Sequence, residues 1–117
     1  MDNKEFGKQL EKRTKAFAIS ILRLTSQLPD TSEGKVVRYQ LAKAATSVGA
    51  NYREANRSRS KADFKNKITI CETESSESGY WLEIIDEMNW LTIEITMPAL
   101  KEADELLAIF TSIGSKL

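Results

Sequence analysis

KADFKNKITICETESSESGYWLEIIDEMN, residues 61–89, carries Phe64, Ile68, Cys71, Ser75, Ser78, Leu82, Ile85 and Asn89 at alternating spacings of four and three. That rhythm places all eight on one side of an α-helix, in the form of a seam that faces neighbouring helices. It persists for about 26 residues, or roughly 39 Å at 1.5 Å per residue. Just upstream, Ser60 and Asp63 have the spacing of a capping box with Asp in place of Glu, which sets the helix start at Lys61.

Working outward from this rod, the preceding residues give a second helix with the stripe Val37, Leu41, Ala44, Val48, Tyr52 and Ala55. Ala42, Ala44, Ala45, Gly49 and Ala50 make it thin, so a neighbouring backbone can approach closely; Gly49 alone costs about 1 kcal/mol of helix propensity relative to Ala. Pro29-Asp30-Thr31-Ser32-Glu33-Gly34 is turn chemistry and separates it from a first helix with the seam Leu10, Thr14, Phe17, Ile21, Leu24 and Leu28. Ala18, Ile19 and Leu22 widen that stripe enough to meet two partners. Downstream, Thr96 and Pro98 read as the entry to a fourth helix, striped by Leu100, Ala103, Leu107, Phe110 and Gly114, with Leu106, Ile109 and Ile113 beside them. The expectation is an all-α, antiparallel up-down-up-down four-helix bundle, with helices at about 4–28, 33–57, 61–89 and 97–114.

Length and composition agree with one such domain over residues 1–117: 41% hydrophobic and 29% charged residues suit a globular chain, and five Gly and two Pro leave little turn material. The charged start, Met1 to Arg13, lacks the apolar core of a secretory signal, and no stretch approaches the ~20 apolar residues of a membrane span. A single cysteine, Cys71, excludes an internal disulfide and fits a reducing compartment. A cytoplasmic protein without membrane attachment is expected.

Equal numbers of acids and bases, 17 of each, conceal a sorted charge. Residues 35–67 hold nine Lys and Arg against Glu54 and Asp63, whereas residues 68–117 hold ten acids against Lys101 and Lys116. Such a dipolar chain suits either a polyanion or basic-to-acidic docking between its own copies. The candidate contact group is Arg53, Arg57, Arg59, Lys61, Lys65 and Lys67. Arg can bind phosphate through a planar fork and Lys as a point charge. The same corner also reads as a solvated face or one side of a subunit contact. No zinc-finger spacing, recognition-helix signature or aromatic single-strand platform is visible, so contact with the nucleic-acid backbone is the most that the pattern supports.

Asn51 and Glu54, with Arg57, form a polar row beside the second helix's stripe and are expected to join a structural network, because buried polar groups need partners. Tyr39, Tyr52, Tyr80, Trp81 and Trp90 read as core or interface anchors. Ser75, Ser78 and Gly79 read as points of close helix approach. Glu74, Glu77, Glu83, Asp86 and Glu87 raise a di-metal carboxylate centre, but that chemistry ordinarily wants Glu-x-x-His on two helices, and the chain has no histidine. The same lack removes a Cys71-His pair, and no Gly-x-Ser-x-Gly elbow or Walker loop is present. No catalytic residue, metal, cofactor or small-molecule substrate is expected.

Ser47-Val48-Gly49-Ala50-Asn51-Tyr52-Arg53-Glu54-Ala55, then Arg57-Ser58-Arg59-Ser60-Lys61-Ala62-Asp63-Phe64, and later Tyr80-Trp81-Leu82-Glu83, closely resemble a bacterial family of four-helix bundle proteins. The family includes proteins encoded by intervening sequences in 23S ribosomal RNA genes, and it is related to the accessory variability determinant of diversity-generating retroelements. The resemblance spans residues 10–115. It implies a homopentameric ring without established enzymatic activity. From the retroelement relatives it further implies a basic surface that binds RNA or DNA and a partnership with reverse transcriptase. Arg53, Arg57, Arg59 and Lys61 occupy the corresponding basic region. The combined expectation is a non-enzymatic ring-shaped adaptor, with a purely structural or protein-interaction module as the alternative.

Overall fold

Helix boundaries are set by side chains that satisfy the free amides and carbonyls of each terminus. The computed structural model describes residues 3–117 and contains α1 (Asn3–Thr25), α2 (Ser32–Ala55), α3 (Lys61–Glu87) and α4 (Ile93–Ser115). Thr31 caps α2 by accepting from the Gly34 amide, and Ser60 caps α3 by accepting from the Asp63 amide at 3.0 Å. α3 ends in a Schellman turn: Asn89 takes φ 56°, its amide donates to the Asp86 carbonyl, and the Trp90 amide donates to the Ile85 carbonyl. Asn89 therefore closes α3 and does not belong to its seam.

The expected all-α bundle is present; α2 and α3 each end two residues early, and two boundaries shift further. α1 stops at Thr25, three residues before the expected end, because Arg38 reaches across from α2. Its Nε donates to the Thr25 carbonyl at 3.2 Å and its Nη2 to the Leu28 carbonyl at 3.0 Å. α4 begins at Ile93 with Thr92 at its cap, which puts Pro98 inside the helix and not in its first turn. Pro98 deprives the Glu94 carbonyl of its helical donor, and because both residues are exposed water can supply the missing hydrogen bond. The early start brings Thr96 into the buried set with Ala103, Leu106 and Phe110. The buried stripe is thus rotated from the expected one, and Leu100 and Leu107 lie at its half-buried edge.

In space the helices follow chain order around a square, with α1 beside α2 and α4, and no close backbone approach across either diagonal. The body measures 44 × 25 × 21 Å. Its axis is filled by the seams of α1 and α2, by Ile68, Cys71, Leu82 and Ile85 of α3, and by Leu106 and Phe110 of α4. Ile19 and Leu22 lie outside this core, so the first helix presents a narrower buried stripe than its sequence suggested. Ser75 and Ser78 are buried, and their hydroxyls return to the carbonyls of Cys71 and Glu74.

Close approach is decided at two glycines. A Cβ on Gly49 would lie 3.0 Å from Thr14 Oγ1 and 3.3 Å from the Thr14 carbonyl carbon, so the thin α2 does let α1 in. A Cβ on Gly34 would sit 2.1 Å from the Pro29 carbonyl oxygen, which no side chain can tolerate without moving the backbone. Gly79 corrects an expectation: its nearest neighbour would be an Asp104 carboxylate oxygen at 3.9 Å, an ordinary contact. α1 is also clamped to α4 by Arg13, whose fork binds both Glu102 oxygens at 2.7 and 2.8 Å and Glu105 at 2.8 Å. Those hydrogen bonds, the one to Glu102 foremost, push the guanidinium further from deprotonation.

Candidate nucleic-acid interface

The α2–α3 connection is short and pinned at both ends, which holds its cations in place. Tight turns at the end of α2 run from the Arg57 amide to the Glu54 carbonyl and from the Ser58 amide to the Ala55 carbonyl. Ser58 Oγ returns to the Ala55 carbonyl at 2.7 Å, and Asn56 Nδ2 ties the turn to Glu11 of α1 at 2.9 Å. Ser60 then opens α3. Arg57, Arg59 and Lys61 project from this frame at one end of the bundle, with Lys65 one turn into α3, and all four are exposed. Among the described residues none of the four is held in an ion pair, whereas five other ion pairs form elsewhere.

The six sequence candidates do not form one cluster. Lys67 is committed to Glu54, Nζ to Oε1 2.9 Å, and that hydrogen bond raises its pKa. Arg53 lies on the flank toward α1, 3.8 Å from Glu11, and lines a depression with Lys8, Lys12 and Lys15. The break between α2 and α3 removes the continuous four-residue alignment, leaving Arg57, Arg59, Lys61 and Lys65 as the end cluster. Asn51 donates to the Ser47 carbonyl of its own helix at 2.8 Å, so Glu54 alone of the polar row bridges to another helix. Arg38 is also withdrawn from the cationic surface by its carbonyl contacts.

Lys8, Lys12 and Lys15 are inconspicuous in the sequence because the first segment is nearly neutral overall. Their four-three spacing opposite the α1 seam was the available signal. Lys116 was missed because it stands alone in an acidic segment, yet the antiparallel fold carries it to Arg59 and Lys61 around a shared depression. On the opposite flank, between α3 and α4, a groove of about 770 Å³ is lined by Glu83, Asp86, Glu87, Asp104 and Glu105, with Lys101 among them and Met97 and Leu100 beside them. Tyr39 and Tyr80 are exposed, Tyr52 is buried against Phe110, and Trp81 and Trp90 are half-buried.

The remaining ionisable groups offer little chemistry. Cys71 is fully buried, and desolvation pushes its thiol up to about 12, so it carries no thiolate at neutral pH. Among the described residues no group of three or more His, Cys, Asp or Glu side chains is arranged to hold a metal ion. Nor is any described helix long and apolar enough to cross a membrane.

The family model described as 23S rRNA-intervening sequence protein matches residues 8–112. The chain belongs to this family. A crystal structure of a protein of unknown function from the S23 ribosomal protein family of Bacteroides thetaiotaomicron superposes with a TM-score of 0.82 at 32% identity. The match covers 89% of this chain and 96% of that one. No curated protein matches the chain. Family membership and this structural likeness agree with the four-helix architecture derived from the seams.

Proposed function

We propose that this intervening-sequence family protein is a non-enzymatic adaptor that assembles as a closed ring, a homopentamer by family resemblance, and engages the phosphate backbone of RNA or DNA. The observation that carries this is the pinned end cluster Arg57, Arg59, Lys61 and Lys65, exposed and without internal carboxylate partners among the described residues. Four cations on a pinned backbone beside the positive N-terminus of α3 favour polyanions, and backbone contacts of this kind carry little sequence preference. Assembly into a ring is supported by the unlike flanks: Lys8, Lys12, Lys15 and Arg53 on α1–α2 and the acidic groove on α3–α4 lie on opposite sides of the bundle. Two different patches meeting head to tail close into a ring when the rotation suits.

The test titrates labelled RNA and DNA against wild type and the combined Arg57→Glu, Arg59→Glu, Lys61→Glu variant. Loss of binding with unchanged helicity supports the adaptor, and unchanged affinity removes it. The second reading, a structural module whose cations serve subunit contacts, is favoured by the same complementary flanks. It predicts that the Arg57→Glu, Arg59→Glu, Lys61→Glu variant has a lower assembly mass by light scattering, whereas the adaptor predicts that this variant loses polynucleotide binding with the ring's mass intact.

A further inference from the structure

The apolar side chains closest to the cationic end are not spread evenly over the surface. Where the first turns of α1 pass the last turns of α4, the two helices leave a groove of about 800 Å³, within the roughly 300–1,000 Å³ range of ligand clefts. Phe6, Phe64, Ile113 and Leu117 give it an apolar lining, to which Ser112 adds a hydroxyl, while the Asn56 amide that also lines it is engaged by Glu11. Phe6 is 42% exposed and Leu117 51% exposed, although each is large and apolar. The groove opens directly onto the basic corner: Phe64, Lys116 and Leu117 line both it and the neighbouring depression that holds Arg59 and Lys61.

We infer that this groove receives an unstacked base of a single-stranded nucleic acid whose flanking phosphates lie on Arg59, Lys61 and Lys116. The inference rests on the phosphate-binding reading above and narrows it from any polyanion to single strands or unpaired ends. A base is apolar on its faces and hydrogen-bonding at its edge, which matches phenyl side chains with the exposed Ser112 hydroxyl beside them. Its phosphates are anionic, which matches the adjoining cations; an apolar peptide would leave those charges unanswered. A paired base cannot enter, because its faces are covered within the duplex stack. No aromatic platform is visible in the sequence because Phe6 and Phe64 are far apart in the chain and come to line one groove only through the antiparallel arrangement.

The experiment compares fluorescence anisotropy of a labelled single strand of about 12 nucleotides, as RNA and as DNA, with a hairpin duplex carrying the same number of phosphates. Wild type should bind the single strand about tenfold more tightly than the duplex. Phe6→Ala, which removes a wall, and Ser112→Trp, which fills the groove from an exposed position, should each abolish that preference while leaving duplex affinity unchanged. Lys61→Glu should weaken both ligands. Equal binding of single strand and duplex by wild type, or an undiminished preference in both groove variants, overturns the base site while the phosphate reading stands. Binding of neither ligand overturns both. If Ser112→Trp instead lowers the assembly's mass by light scattering with single-strand affinity intact, the groove is a contact between copies and the inference fails.

Discussion

Gly34 and Gly79 show how differently two glycines in the same fold can be constrained. Gly34 faces a backbone carbonyl at a distance that excludes a Cβ, so Gly34→Ala should destabilise the protein by about 1–3 kcal/mol, the usual cost of overpacking. Gly79 has ordinary room, and Gly79→Ala should leave stability unchanged or raise it by up to about 1 kcal/mol through helix propensity. Urea denaturation of the two variants checks both signs, and equal losses would contradict the packing described. The sequence marked Gly79 for close approach because it lies among serines, but small size does not reveal what stands opposite. Cys71 was placed correctly from its seam position alone, since burial there follows from helical period.

Elements were legible wherever their ends carry local chemistry. The Ser60 cap and the Phe64-to-Ile85 seam gave α3 its start and its buried face, and the seams of α1 and α2 gave their cores directly. α4 was misplaced because two threonines precede Pro98 at helical spacing, and the general preference for Pro in a first turn favours Thr96 over Thr92. The early end of α1 depends on Arg38, a tertiary contact that no local pattern announces. At this same end of the bundle, Asn89→Val should cost about 1–2 kcal/mol because a β-branched residue is forced to positive φ, whereas Asn89→Gly should be tolerated. Helical thermal melts of the pair read this directly. Between α2 and α3, burial of Glu74 and, after it, the nearby Glu77 raise the carboxyl's pKa, outweighing Lys43 and Ser47. A carboxyl with a raised folded pKa favours folding most when protonated, and that contribution is lost as pH rises through the shifted pKa. Glu74→Gln should therefore be more stable than wild type at neutral pH, and the difference should shrink on acidification; a difference that grows toward acid would contradict the assignment.

For the whole molecule, the sorting of charge along the chain becomes a sorting in space only after folding. Positive charge gathers on an α1–α2 flank, where Arg53 joins Lys8, Lys12 and Lys15 of the first segment, and in an end cluster, while the acidic segment lines α3–α4. The sequence disclosed the existence of a cationic corner because Arg57, Arg59 and Lys61 are adjacent in the chain. It hid the recruitment of Lys8, Lys12, Lys15 and Lys116, which depends on antiparallel packing, and the withdrawal of Arg38 and Lys67 into internal bonds. The most direct test of the phosphate-binding corner is the salt dependence of duplex affinity. Four phosphates neutralised by Arg57, Arg59, Lys61 and Lys65 predict that log K falls with log salt at a slope of about −3.6, reduced by about 0.9 for each of these cations changed to Ala. A slope near zero, or one that all four replacements leave untouched, would contradict it.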